Sequence, residues 1–257
     1  MDALDTVRLK YIKEMIGAGA REDGRGMYDF RKINIEKGTL GNAEGSAQVD
    51  LGRTKVLVGI KVDLDEPMDD TPNMGNMVTS AELLPLASED YETGPPSPEA
   101  IELARVVDRG IRHGNCIDME KLFIEEGKVW GVFFDIYVLN FYGNLIDASA
   151  IAAMAALTDV RLPKYEDGKV IREQSNQRIK INNVVSSTTF SKINKRIVLD
   201  ADSAEENAAD GRITIATDGE RIRAMQKGKS GGFFVNEIDE LIDVSLAKSK
   251  ELRKIIG

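Results

Sequence analysis

The chain has 257 residues with a single cysteine, Cys116. It is long enough to bury a substantial core, and it lacks the cysteines for an internal disulfide framework or a multi-cysteine metal site. The formal net charge of −9 argues against nucleic-acid binding by the surface as a whole, so any such contact must be local.

No apolar run reaches the ~18 residues of a membrane span, and the opening MDALDTVRLKYIKEM is not a secretory signal; a soluble, cytoplasmic protein is expected. Near the N-terminus Leu4, Val7, Tyr11 and Met15, with Ile12 and Ile16 beside them, predict an amphipathic helix ending at Gly17 or Gly19. Residues 21–63 follow as short alternating strands, with turns expected at Asp23-Gly24, Lys37-Gly38 and Glu44-Gly45 and a strong strand over 56–62. The acidic run DLDEPMDD reads as a solvated loop, because nothing in it fixes ligands around a cation. After the break TGPPSP, Ser97 and Pro98 start a helix with Glu99 in its first turn.

At 100° per residue that helix places Leu103, Val106, Val107, Gly110 and Ile111 on one side, and Arg105, Arg109 and Arg112 together on the other. The arginine stripe fits a solvated face paired with Glu102 and Asp108, or a track for a phosphate backbone. The longest apolar stretch spans 129–157. Its first part, 129–139, predicts a strand covered on both faces; the turn Phe141-Tyr142-Gly143-Asn144 leads into an alanine-rich helix capped by Asn144 or Asp147. Amides at such a helix start point into the turn, a natural seat for a phosphate.

Residues 163–176 read as a linker, followed by strands at 178–185 and 196–199 and an acidic loop at 200–210. Glu205 stands where a calcium loop requires glycine. Asp218-Gly219 marks a hairpin between 213–216 and 222–225, and Asn236 is expected to cap a last helix with Ile238, Leu241, Ile242, Leu246, Leu252 and Ile256 on its apolar side. Gly228-Lys229-Ser230 lacks the upstream glycine of a phosphate-binding loop, so QKGKSGGFF reads as a flexible basic turn and a nucleotide-dependent kinase is disfavoured. One histidine, His113, makes a Ser-His-Asp triad improbable.

The segment REDGRGMYDFRKINIEKGTLGNAEGSAQVDLGRTKV resembles the opening signature of the RNase PH family, and the likeness continues through ELLPLAS, IELARVVDRGIRHGNCID, the central strand and helix, and the last helix. Within the family, ELARVVDRGIR, TTFSKINKRIVLDADSAEENAADGRITIATD and QKGKSGGFF resemble the non-catalytic type of archaeal exosome core subunit. The resemblance implies a mixed α/β fold of two similar βαβ-type halves, here 1–165 and 166–257, with sheets covered by helices. It also implies a hexameric ring, a trimer of dimers formed with a catalytic RNase PH-like subunit, crowned by RNA-binding cap subunits and degrading single-stranded RNA 3′→5′. The complex would use inorganic phosphate and Mg2+; no cofactor is assigned to this chain itself.

Active relatives carry a Gly-Ser-Arg type triplet at the turn before the central helix, where this chain has Gly143, Asn144 and Leu145. An amide replaces a hydroxyl and an aliphatic chain replaces a cation. Losing a charged hydrogen-bonding partner costs on the order of 1.5–3 kcal/mol, a tenfold or greater loss of affinity. Active relatives also place an aspartate pair after the strand matching 196–199, where this chain offers Glu205, Glu206 and Asp210. Two readings follow from the resemblance. One is a non-catalytic subunit whose Arg105, Arg109 and Arg112, with Arg109 and Arg112 foremost, hold RNA while the sister subunit cuts. The other is an active exoribonuclease using Glu206 or Asp210 as a rearranged acid.

Overall fold

The computed structural model describes residues 3–172 and 177–257. Positions 173–176 of the expected linker, and the side chain of Leu4, lie outside the described residues. Helix α1 (Ala3–Gly17) ends on glycine as predicted. Its buried side is Ile12 and Ile16, packed with Ile193, Val198 and Ala208, whereas Val7 and Tyr11 are exposed. The core thus takes the apolar pair beside the one the heptad-like spacing emphasised.

Strands β1 (Ile33–Lys37), β2 (Gly45–Leu51), β3 (Thr54–Asp65), β4 (Asn76–Leu83), β5 (Phe123–Glu125) and β6 (Lys128–Asn140) form one sheet in the order β1-β2-β3-β6-β4, with β5 on β6. Among its described pairs, β4 and β6 alone run parallel. Parallel neighbours need a crossover, and helix α2 (Pro98–His113) lies within it. The Ser97 hydroxyl accepts the Ala100 N–H at 3.2 Å, so the predicted helix start is the observed one.

Helix α3 (Leu145–Asp159) is buried without a break from Ile146 to Leu157. A helix that is apolar all round has to be enclosed, and this one lies between β2 and β3 on one side and the second sheet on the other. Gly45 opens β2 instead of closing the expected turn. A Cβ there would sit 2.6 Å from the Ala156 carbonyl, so strand and helix meet only because residue 45 has no side chain.

Strand β6 departs from expectation in one respect. Its inner row, Val132, Phe134, Ile136 and Val138, is fully buried against the core, but Phe133, Asp135, Tyr137 and Leu139 are only partly buried. Leu57 and Lys61 of β3 stand opposite Tyr137 and Phe133, and Val78 of β4, 46% exposed, is beside Phe133. The unbroken apolar run therefore encodes one core face and one face open to the outside, not two covered faces.

The expected linker carries a small hairpin, β7 (Lys164–Glu166) and β8 (Lys169–Ile171), turning at Asp167-Gly168. The strand predicted at 178–185 does not form; that segment makes isolated bridges, Ile117 to Ile181 and Arg161 to Arg178. Regular pairing starts at β9 (Ser186–Ile193), which with β10 (Arg196–Leu199), β11 (Gly211–Thr217) and β12 (Ile222–Gly228) forms an antiparallel sheet ordered β10-β9-β11-β12. The acidic loop holds a short helix, α4 (Ser203–Ala208), closed by a capping box between Asp202 and Glu205.

Helix α5 (Val235–Ile256) starts after Phe234, whose N–H is taken by Glu237 at 2.7 Å, so Asn236 lies inside the first turn and does not cap it. Leu241, Leu252 and Ile256 are buried as expected, joined by Ser245 and Ser249. These serines explain how a polar strand became a core strand. Ser186 donates to Ser249 at 2.8 Å and Thr188 to Ser245 at 2.7 Å, while Thr189 turns the other way and donates to Asp147 of α3 at 2.7 Å. Buried hydroxyls are tolerated when each finds a partner.

Candidate functional site

The turn entering α3 is made of two consecutive left-handed residues, Gly143 (φ 82°) and Asn144 (φ 54°). A Cβ at position 143 would lie 2.5–2.7 Å from backbone atoms of residues 201–203. Asn144 accepts the left-handed region more readily than most residues, and of the two predicted caps it is the one used: its Oδ1 accepts the Asp147 N–H at 3.4 Å. Its Nδ2 donates to Asp147 at 2.9 Å and to Asp200 at 2.7 Å. Leu145 packs, half-buried, against the main core.

The turn's carbonyls are equally committed. Arg31 donates to Tyr142 O at 2.7 Å and Gly143 O at 3.1 Å while binding Asp200 through both Nε and Nη2, and Thr54 Oγ1 donates to Gly143 O at 2.6 Å. Arg25 reaches the same carboxylate at 3.0 Å. Burial alone would raise the Asp200 carboxyl, but the Arg31 hydrogen bonds and charge hold it below the ordinary carboxylate range. Asp147 has no such cation. Burial pushes it up to about 7, against the hydrogen bonds from Asn144 and Thr189.

The Asn144 amide at the head of α3 is taken by Glu206 of α4, whose Oε1 lies 2.8 Å from Asn144 N. Burial raises the Glu206 carboxyl, while that amide, Arg212, Lys229 and Arg31 oppose the shift. Asp210, the other acid considered as a rearranged catalytic group, is exposed and paired with Lys13 at 3.1 Å. A cavity of about 610 Å³ lies beside the turn, where Tyr91 contacts Phe141 with ring centroids 5.8 Å apart. Glu82, Asp90, Glu92 and Glu99 line it, with no lysine or arginine among its lining residues. Such a cleft repels a polyphosphate chain. Among the described residues no three acidic, histidine or cysteine side chains are grouped closely enough to hold a metal ion.

The three arginines of α2 share its outer side but are engaged to different degrees. Arg112 binds Asp108 twice at 2.9 Å and the Met77 carbonyl at 2.9 Å. Arg109 reaches Gln226 of β12 at 2.5 Å, and Glu102 pairs with Arg212 of β11 rather than with an α2 arginine. Arg105 is exposed and has no polar partner among the described residues. The structure thus separates Gly143, Asn144 and Leu145, enclosed at the head of α3, from the surface stripe on α2. Arg31 and Asp200, which brace the turn, were not singled out from the sequence. Arg31 lies within the opening signature, and Asp200 directly follows β10.

Residues 29–163 match the family model described as 3′ exoribonuclease family, domain 1, and residues 183–248 match domain 2 of the same family. The chain belongs to the 3′ exoribonuclease (RNase PH) family. It is 46% identical over 251 residues to a Thermococcus gammatolerans protein named exosome complex component Rrp42, covering 95% of this chain and 92% of that one. It superposes on a chain of the Archaeoglobus fulgidus exosome with RNA bound to the active site, with a TM-score of 0.92, 40% identity and full coverage of both chains. A chain of an archaeal exosome core matches with a TM-score of 0.88 and 37% identity over 98% of this chain and 97% of that one.

Proposed function

We propose that this chain is a non-catalytic subunit of an archaeal-type exosome ring, pairing with a catalytic RNase PH-like subunit and positioning single-stranded RNA for phosphate-dependent 3′→5′ degradation. The observation that carries the reading is the state of the α3 head. The amide of Asn144 is bound to Glu206, the side chain of Asn144 to Asp147 and Asp200, and the following residue is aliphatic. This triplet offers orthophosphate no cation, and both the amide and the side chain of Asn144 are already taken. The acidic cleft beside it supports the same conclusion. The relatives named as exosome components, and the resemblance to a structure holding RNA, supply the assembly in which such a subunit would act. In that assembly Arg105, Arg109 and Arg112 contribute RNA phosphate contacts, and the half-exposed outer sheet face gives a partner somewhere to bind.

The test is phosphorolysis of single-stranded RNA with phosphate and Mg2+. The purified chain alone is expected to release no nucleoside diphosphates, and the same chain mixed with its catalytic sister is expected to form a ring that does. Steady release by the chain alone overturns the proposal.

A further inference from the structure

We infer that Asp135 and Glu82, on the outer face of the first sheet, determine which subunit docks there: they receive a cationic side chain of the guanidinium class from a different partner subunit and turn away a second copy of this chain. This deepens the proposed function and rests on it.

The register of the sheet brings these groups together. Along the outer row of β6, Phe133, Asp135 and Tyr137 stand beside Val78, Ser80 and Glu82 of β4 on one side and beside Lys61, Gly59 and Leu57 of β3 on the other. Gly59 adds no side chain to this face, and the 39–43 loop, with Leu40 37% exposed, borders a cavity of about 360 Å³ that has Asp135 and Tyr137 in its wall. Neither carboxylate has an ion pair among the described residues. Asp135 Oδ1 accepts the Ser80 hydroxyl at 2.7 Å, and Glu82 is exposed. Burial, and then the charges of Glu82 and Asp135, raise the Tyr137 hydroxyl, so the two carboxylates act on one aromatic residue from either side. Such a setting suits an arginine, whose flat face packs on the ring while its edge donates to the carboxylates. Lys61, the cation in the cavity lining, already binds Asn42 O at 2.9 Å and Glu44 at 3.2 Å, so the uncompensated charge of the face is negative. The sign selects the occupant. A second copy docking about a two-fold axis would oppose this patch to itself and bury like charges against each other. The same sign repels RNA phosphates. An apolar partner surface that carries a cation meets neither penalty.

The experiment measures association of the full chain with the catalytic sister by sedimentation across a salt series. Asp135→Asn combined with Glu82→Gln keeps side-chain size and leaves an acceptor for Ser80. It should weaken association by about tenfold or more at low salt and flatten the salt dependence, with the melting temperature of the isolated chain unchanged. Glu82→Gln alone, which removes no hydrogen bond or ion pair seen among the described residues, should give a smaller loss in the same direction and replaces the double variant if that does not fold. Unchanged affinity and salt dependence in the folded variant overturn the inference. So does self-association of the unmodified chain that Tyr137→Lys abolishes, which would assign the face to a second copy. Failure of the non-catalytic reading is a separate outcome, seen as nucleoside diphosphate release by the unmodified chain.

Discussion

At the scale of single residues, the entry to α3 is held by groups whose protonation states pull in opposite directions. Asp147, raised to about 7 in the folded chain from an ordinary value near 3.8, binds a proton more tightly folded than unfolded. Its ionisation therefore costs stability as pH rises from about 4 to about 7, the reverse of a salt-bridged carboxylate. Asp200 is the opposite case: its folded value is lowered, so its contribution is fully present above the ordinary carboxylate range and is lost only as pH falls through the folded value. Asp147→Asn should flatten the fall in unfolding free energy between pH 5 and pH 7, measured by urea denaturation across that range; an unchanged slope would mean that Asp147 does not titrate there. Gly143→Ala meets both a positive φ and backbone atoms at 2.5–2.7 Å. It should destabilise the chain by roughly 2–4 kcal/mol, read from the same denaturation curves.

At the scale of elements, legibility followed chemistry. Helix α2 could be read from the sequence because a serine cap, a proline and a single apolar side all agree; the predicted Leu103, Val106, Val107, Gly110 and Ile111 are all buried, joined by Ala100 and Ala104. β9 could not, because Ser186, Thr188 and Thr189 look like surface residues until Ser249, Ser245 and Asp147, 42 to 63 positions away, supply their partners. The triplet at the head of α3 was visible as a departure from the family pattern. Its enclosure by Arg31, Asp200 and Glu206 was not, since those hydrogen bonds span 56 to 169 positions of sequence. Thr188→Val strands the Ser245 hydroxyl beside an apolar side chain, although Ser245 also donates to Leu241 O at 2.7 Å. That remaining bond keeps the expected loss small, about 1 kcal/mol by thermal or urea unfolding.

On α2 the arginines are unequal. Among the described residues Arg105 has no polar partner and Arg109 is held by a neutral amide, whereas Arg112 is already neutralised by Asp108. In the assembled ring, Arg105→Glu with Arg109→Glu should weaken RNA binding and lower the salt slope by about 0.7 for each RNA phosphate that is no longer neutralised. Unchanged affinity across a salt series would remove the stripe from the RNA path.

At the scale of the whole molecule, α3 welds the two sheets into one body, and the outer row of β6, Phe133, Tyr137 and Leu139 with Asp135 among them, is only partly covered. On the proposed function, an acidic chain that is to meet RNA through a few local arginines would gain from a partner that supplies both cover and positive charge. Tyr137→Lys should leave the melting temperature of the isolated chain nearly unchanged, because that face contributes little to its own core. It should weaken association with the catalytic sister, measured by sedimentation; intact assembly would place the interface elsewhere. The central claim is that this chain brings surface and not chemistry to the ring. Its most direct test is the rate of nucleoside diphosphate release from a ring assembled from the unmodified chain and a sister subunit disabled at its own phosphate-binding turn. The expected rate is that of the RNA without protein; a residual phosphate-dependent rate carried by such rings would contradict the claim.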